Sequence, residues 1–238
     1  MGTVGGKVMD AIERFFEHFE RQLARVERTD DRLFQKILIM TFLGALARGR
    51  YPRERSDRQT FTSLILDHSG WAGAVLVSYP QLRLQIERQQ FAGLTEQFLR
   101  RLEMCHLEWQ RSLNVREVRR SRLDPRREDL NPAASTPQEE RLLASCNHAN
   151  LLYDYRSTLV HEFREPGYPS EISPDGTEPY YVSTSTIDSD EEVYELVYPS
   201  AFLLNLARDA MNGLKSYYQE REVDPYAGYR FGSVWRQR

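Results

Sequence analysis

The sequence predicts a mainly helical bundle with one β-hairpin inserted before its last helix. Apolar residues recur at three- and four-residue spacing through most of the chain as far as Pro166-Gly167, and cap and stop signals divide this pattern into segments. Only over about residues 179–198 does the period fall to two, on β-branched and aromatic residues around a polar turn.

The elements follow in order. From Val8 to about Arg28, Met9, Ile12, Phe15, Phe16, Phe19, Leu23 and Val26 form one helical stripe. Thr29-Asp30-Asp31 caps a second helix, which runs to about Arg48 before Gly49 and Pro52. Its apolar residues, among them Phe34, Ile37, Leu38 and Leu43, point to most sides, as in a central core helix. Ser56-Asp57 starts a third helix that ends near Gly70. The short apolar segment from Ala72 to Tyr79 fits helix and strand equally well. A long helix is expected from about Leu82 to Arg122, interrupted near Gly93. Pro125, Pro132 and Pro137 then mark a linker. Thr136-Pro137-Gln138-Glu139-Glu140 offers a cap, a proline at the first position and acids in the first turn, so it opens a helix that closes at Pro166-Gly167. Tyr180–Thr184 and Glu192–Tyr198 read as hairpin strands around Asp188-Ser189-Asp190. Pro199-Ser200 starts a last helix with Phe202, Leu206, Ala210, Leu214 and Tyr217 on its apolar face. The expected organisation is one domain over residues 1–221 and a tail over 222–238 that docks through Tyr226, Tyr229, Phe231 and Trp235.

With 32 basic and 35 acidic residues the net charge is -3, which gives no global case for nucleic-acid binding. Only Lys7, Lys36 and Lys215 are lysines. Arginine suits bidentate phosphate contacts better than lysine does, so the bias is compatible with an RNA partner without implying one. Two cysteines far apart cannot form a disulfide framework. The N-terminus lacks the apolar run of a signal peptide, and no apolar run reaches the ~20 residues that span a bilayer. A soluble, cytoplasmic protein without membrane contact is expected.

The most informative stretch is Leu151-Leu152-Tyr153-Asp154-Tyr155-Arg156-Ser157-Thr158-Leu159-Val160-His161-Glu162-Phe163-Arg164. A guanidinium among apolar neighbours is costly unless it is paired or receives an anion, and histidine exchanges protons near neutral pH. Together they suggest chemistry on a phosphate. Five residues along a helix turn the chain ~140° and advance it ~7.5 Å, so Arg156 and His161 do not share a narrow stripe. Either the long arginine stem wraps toward the histidine or a two-fold partner helix supplies a second pair. The alternative is structural: Arg156 pairs with a core acid and His161 lines a surface.

The spacing Arg156-x4-His161 on a late helix of a helical chain resembles the signature of the HEPN superfamily (higher eukaryotes and prokaryotes nucleotide-binding domains). The resemblance implies a homodimer whose signature helices meet at a cleft. It also implies metal-independent endoribonuclease activity that leaves a 2′,3′-cyclic phosphate, in a toxin or a defence factor with an antitoxin or regulatory partner. His161 would be general base or acid and Arg156 would hold the scissile phosphate. Ser157 stands where the family usually has Asn, Asp or His. Phe163 replaces the tyrosine of one toxin branch, so adenylylation there is not carried over. Asp154 is a candidate to orient the imidazole, Ser157 to donate a hydrogen bond, and Arg164 to hold a flanking phosphate.

The basic run from Arg111 to Arg127, with Arg116, Arg119 and Arg120 at its centre, is the candidate RNA path, although the interleaved acids near Asp124 favour a self-paired solvated surface. Cys105-His106 and Cys146-Asn147-His148 are numerically enough for zinc but lack ligand spacing, so neither a metal nor a cofactor is expected. Two other readings remain open, a non-catalytic nucleotide- or RNA-binding module and a structural helical partner protein.

Overall fold

A computed structural model describes residues 4–51, 55–89, 93–111, 118–120, 124–130, 136–167, 171, 175–185 and 192–228. The chain is mainly helical, with a β-hairpin before its last helix. It divides into two compact units. One comprises Met1–Trp71, Leu159–Phe163 and Leu203–Arg238, the other Ala72–Thr158 and Arg164–Phe202.

The first unit is built on α1 (Val4–Glu27), α2 (Arg32–Arg50), α3 (Asp57–His68) and α9 (Ser200–Arg221), the last from Leu203 onward. Most of the α1 stripe is buried, through Ile12, Phe15, Phe16, Phe19, Leu23 and Val26, while Met9 near its start is 39% exposed. Asp31 caps α2 by accepting from the Phe34 amide, and Ser56 and Gln59 form a reciprocal capping box on α3. Helix α2 is central, with Ile39, Met40, Leu43 and Leu46 fully buried. Two of its apolar residues depart from the core-helix expectation, since Phe34 and Leu38 are 53% and 43% exposed. Close packing of α9 on the end of α3 requires Gly213, where a Cβ would stand 2.1 Å from the His68 carbonyl oxygen. Beyond α9, the 3-10 turn Pro225–Ala227 lays Tyr226 edge-on against Phe15 at 5.6 Å. Tyr229, Phe231 and Trp235 lie outside the described residues.

The second unit contains a 3-10 turn (Ala72–Val75), α4 (Tyr79–Gln89), α5 (Glu96–Arg111), β1 (Val118–Arg120), α6 (Arg127–Leu130), α7 (Pro137–Ser145) and α8 (His148–Glu162), followed by β2 (Tyr180–Ser185) and β3 (Glu192–Val197). The final turn of α8, from Leu159, is counted with the first unit. The hairpin is part of a three-stranded antiparallel sheet in the order β1-β2-β3, with Arg119 opposite Tyr181 and Tyr181 opposite Leu196. The core gathers Val77, Leu82, Phe98, Leu102, Leu130, Leu142, Leu143 and Tyr181.

Two expectations are corrected here. The long helix from Leu82 is interrupted near Gly93 as expected, because Gly93 takes a φ of 97° that ordinary residues avoid, and Thr95 then caps α5. Its expected C-terminal end is not helical, since Val118–Arg120 pair with β2 instead. The helix opened at Pro137 is two helices, because the extended residues Leu76–Ser78 claim backbone groups at the break: Ser78 donates to the Cys146 carbonyl and the His148 amide donates to the Leu76 carbonyl. Glu139 ties the starts of α5 and α7 together. Its fully buried carboxylate accepts from Thr95 N (2.6 Å) and Oγ1 (2.8 Å) and from Thr136 N (3.0 Å).

Candidate functional site

Arg156 and His161 stand on one continuous helix, α8, so their five-residue offset holds in the folded chain: ~140° around the axis and ~7.5 Å along it. The guanidinium of half-buried Arg156 lies 5.7 Å from the centroid of the Tyr153 ring, a cation–π arrangement that keeps its stem on the helix. His161 is exposed in the last turn. The helix stops directly after Glu162, where Phe163 adopts a left-handed conformation with φ 55° and an exposed ring. A helix C-terminus favours a cation, and His161 stands within the last turn of α8.

The supporting residues separate. Ser157 is half-buried one turn before His161, and Arg164 is exposed, its Nη1 donating to the Glu165 carbonyl at 3.4 Å. Asp154 shares the helical face of His161 but lies seven residues earlier, ~10.5 Å along the axis, too far for a direct carboxylate–imidazole hydrogen bond. Asp154 instead lines a cleft.

That cleft, of about 260 Å³, lies wholly within the second unit, between α4, α8, the Pro166-Gly167 turn and β3. Gln81, Asp154, Thr158, Tyr194 and Glu195 give it polar groups, and no lysine or arginine is among its lining residues. Gly167 stands at its rim with φ 77°, a conformation that L side chains rarely adopt, and faces the Glu195 carboxylate. Tyr155, at the cleft wall, donates to Glu165 Oε2 at 2.8 Å. Burial and then that carboxylate push its hydroxyl pKa up, so Tyr155 stays protonated.

The start of α8 carries a polar cluster that sequence reasoning missed. His148 Nε2 donates to Asp124 Oδ2 at 2.8 Å, with both side chains 0% exposed. Tyr181 also donates to Asp124 Oδ2, Ser78 Oγ stands 2.7 Å from the Tyr181 hydroxyl, and Asp124 Oδ1 accepts from the Tyr79 amide at 3.2 Å. Burial and the Asp124 charge raise the Tyr181 pKa, which keeps the phenol a donor. The constellation looks like a proton relay, but complete burial denies it a substrate. Its work is to fix α4, α8 and β2 to the segment before α6. The signal was an aspartate among interleaved acids and arginines, which reads as solvated until its distant partners are known.

Of the basic candidates, Arg116 lies outside the described residues, and Arg119 and Arg120 are placed on β1 by their backbone. The self-paired solvated surface expected around Asp124 is corrected at that residue, which is buried. Cys105 and Cys146 are buried in one core cluster and form no disulfide. Burial pushes the Cys146 thiol up to about 12, far from the thiolate a metal needs. Among the described residues no group of three or more His, Cys, Asp and Glu side chains could hold a metal ion, and no helix is long and apolar enough to cross a membrane.

No family model, no curated protein and no solved structure matches the chain.

Proposed function

We propose that the protein is a metal-independent endoribonuclease of HEPN type, acting as a homodimer on RNA. The observation that carries this reading is the state of α8, on which an exposed His161 in the last turn follows a half-buried Arg156. In this reading His161 takes up the proton of the ribose 2′-OH, or delivers one to the leaving oxygen. The 2′-oxygen attacks phosphorus, the bond to the 5′-oxygen breaks, and that oxygen departs as a hydroxyl, leaving a 2′,3′-cyclic phosphate. Arg156 offsets the charge that builds on the pentacoordinate phosphorus. Since the side chains diverge on one helix, the reading needs the reach of the Arg156 stem or a second α8 from a partner copy. It places the protein in the cytoplasm as a toxin or defence factor, held in check by an antitoxin or regulatory protein.

The test is cleavage of a mixed RNA panel by the full chain. The wild type is expected to leave cyclic-phosphate ends, and His161→Ala to cut at least ~100-fold more slowly with unchanged RNA binding. A wild type that leaves every RNA intact sinks the reading.

The cleft beside α8 favours a second reading, a module that holds a nucleotide or RNA without cutting it. Asp154 and Glu195 suit the N–H groups of a base edge rather than a phosphate. Retention of RNA without cleavage in the same experiment would select this alternative.

A further inference from the structure

Helix α2 is buried around most of its circumference. Gln35, Lys36, Ile37, Ile39, Met40, Phe42, Leu43, Gly44, Leu46, Ala47 and Gly49 are all buried, and apart from Arg32, Leu33 and Arg50 at its ends the residues left open form one stripe along a core helix. Starting at the cap, that stripe reads Asp31, Phe34, Leu38, Thr41, Ala45 and Arg48, with spacings of three, four, three, four and three. At 100° per residue these six positions fall within a band about 100° wide, the seam of a helix that has a partner helix. Phe34 and Leu38 put large apolar surface at its centre, where a solvated helix would carry charge. Its only charges stand at the two ends, an acid at the N-terminus and a base at the C-terminus.

The order of the six residues says which partner fits. Turned end for end, the stripe meets itself in register: Asp31 opposite Arg48, Phe34 opposite Ala45, Leu38 opposite Thr41. Every pair is complementary, a carboxylate with a guanidinium, the largest side chain with the smallest, and a leucine with a threonine methyl. Ala45 opposite Phe34 lets the helices approach to the usual 8–10 Å. A parallel arrangement would instead set Asp31 on Asp31, Arg48 on Arg48 and two phenylalanines together. Arg48 already binds Asp57 within the chain at 2.8 Å, but it remains 65% exposed, and a guanidinium has donors for two carboxylates. Asp31 likewise uses only Oδ1 to cap Phe34.

We propose that the open stripe of α2 is a homodimer interface, in which two copies of the chain pair antiparallel about a two-fold axis crossing α2 between Leu38 and Thr41. An isologous contact of this kind requires that residue i meet j while j meets i, which the stripe satisfies at all six positions. The interface is distinct from any pairing of α8 helices, and its test needs no enzymatic activity.

The full chain is first measured by light scattering coupled to size exclusion. The wild type is expected to be a dimer. Leu38→Glu, which changes an exposed side chain, is expected to weaken self-association at least ~100-fold and to leave the circular dichroism spectrum unchanged. Arg48→Glu should weaken it less, by about tenfold. The register is then read by oxidation of a mixture of Phe34→Cys and Ala45→Cys chains. The mixed 34–45 disulfide should form, while two copies of residue 34 stand about 16 Å apart and do not link. The native cysteines are buried and stay out of the reaction. A monomeric wild type overturns the proposal. So does a dimer indifferent to Leu38→Glu, which would place the contact elsewhere and leave the α8 pairing standing. Linkage of 34 to 34 would overturn the antiparallel register.

Discussion

Helix α8 carries one histidine at its first position and another in its last turn, and the two have opposite fates. His148, at its first position, is fully buried and held by Asp124 in a cluster that also engages Tyr181, Ser78 and the Tyr79 amide. His161, in its last turn, is exposed and stands two residues before Phe163, which has a strained conformation. One imidazole has its position fixed from several elements, while the other is free to meet a ligand. A hydrogen-bonded Asp–His–Tyr group is therefore no signature of catalysis by itself, since a fully buried imidazole has no access to a substrate.

The comparison breaks most sharply on stability. His148→Ala removes a donor from a buried carboxylate and leaves a void, so a loss of about 3 kcal/mol in the free energy of unfolding is expected by urea denaturation. His161→Ala should stay within about 0.5 kcal/mol of the wild type. If the two cost the same, the structural and functional ends of α8 have been assigned wrongly.

The unequal legibility of these two ends has a physical cause. The signals at Thr136-Pro137, Ser56-Asp57 and Pro199-Ser200 are local, written within one turn of the helix they start, and each of these helices begins there. The hairpin strands were visible for the same reason. The strand Val118–Arg120 was not, because nothing in a run of arginines announces pairing with Tyr180–Val182 some sixty residues on. The break at Cys146 likewise depends on Leu76–Ser78, and the role of His148 on Asp124, 24 residues before it. Arg156 and His161 were conspicuous as residue types in an apolar frame, and the structure adds their exposure. Asp154 was assigned to the imidazole from its place on the wheel. The helical rise separates the two, and the cleft it lines takes shape only when β3 and the Pro166-Gly167 turn come together.

A third histidine extends the contrast to pH. His68 lies in the last turn of α3, a position that favours a cation, as His161 does in α8. Burial, and then the Arg50 guanidinium, nevertheless hold its pKa below the ordinary 6.5. Its Nε2 is buried without a hydrogen-bond partner among the described residues, and its ring packs edge-on against Tyr217 at 5.4 Å. With the folded pKa below the unfolded one, the unfolded chain binds more protons in the window between them. Stability is then full above 6.5 and falls as the pH drops toward the folded value. Melting temperatures measured downward from neutrality should show this loss, and His68→Gln should flatten it. An unchanged slope in that variant would assign the acid sensitivity to other groups.

The smallest effect concerns the residue that ends α8. Phe163 has φ 55°, a conformation that a side chain with a Cβ adopts only at a cost, and its ring is 61% exposed, so little burial repays it. Glycine is the usual residue at such a helix stop. Phe163→Gly should therefore raise the free energy of unfolding by up to about 1 kcal/mol, while Phe163→Ala, which keeps the Cβ, should give no gain. The ring's position two residues after His161 gives the cost a use, because an exposed aromatic face can stack on an unpaired base. A more stable Phe163→Gly that binds single-stranded RNA less tightly would mean that stability is given up at the functional end of α8. A Phe163→Gly that is less stable would show instead that the ring packs in solution, and the contrast with His148 would then rest on His161 alone.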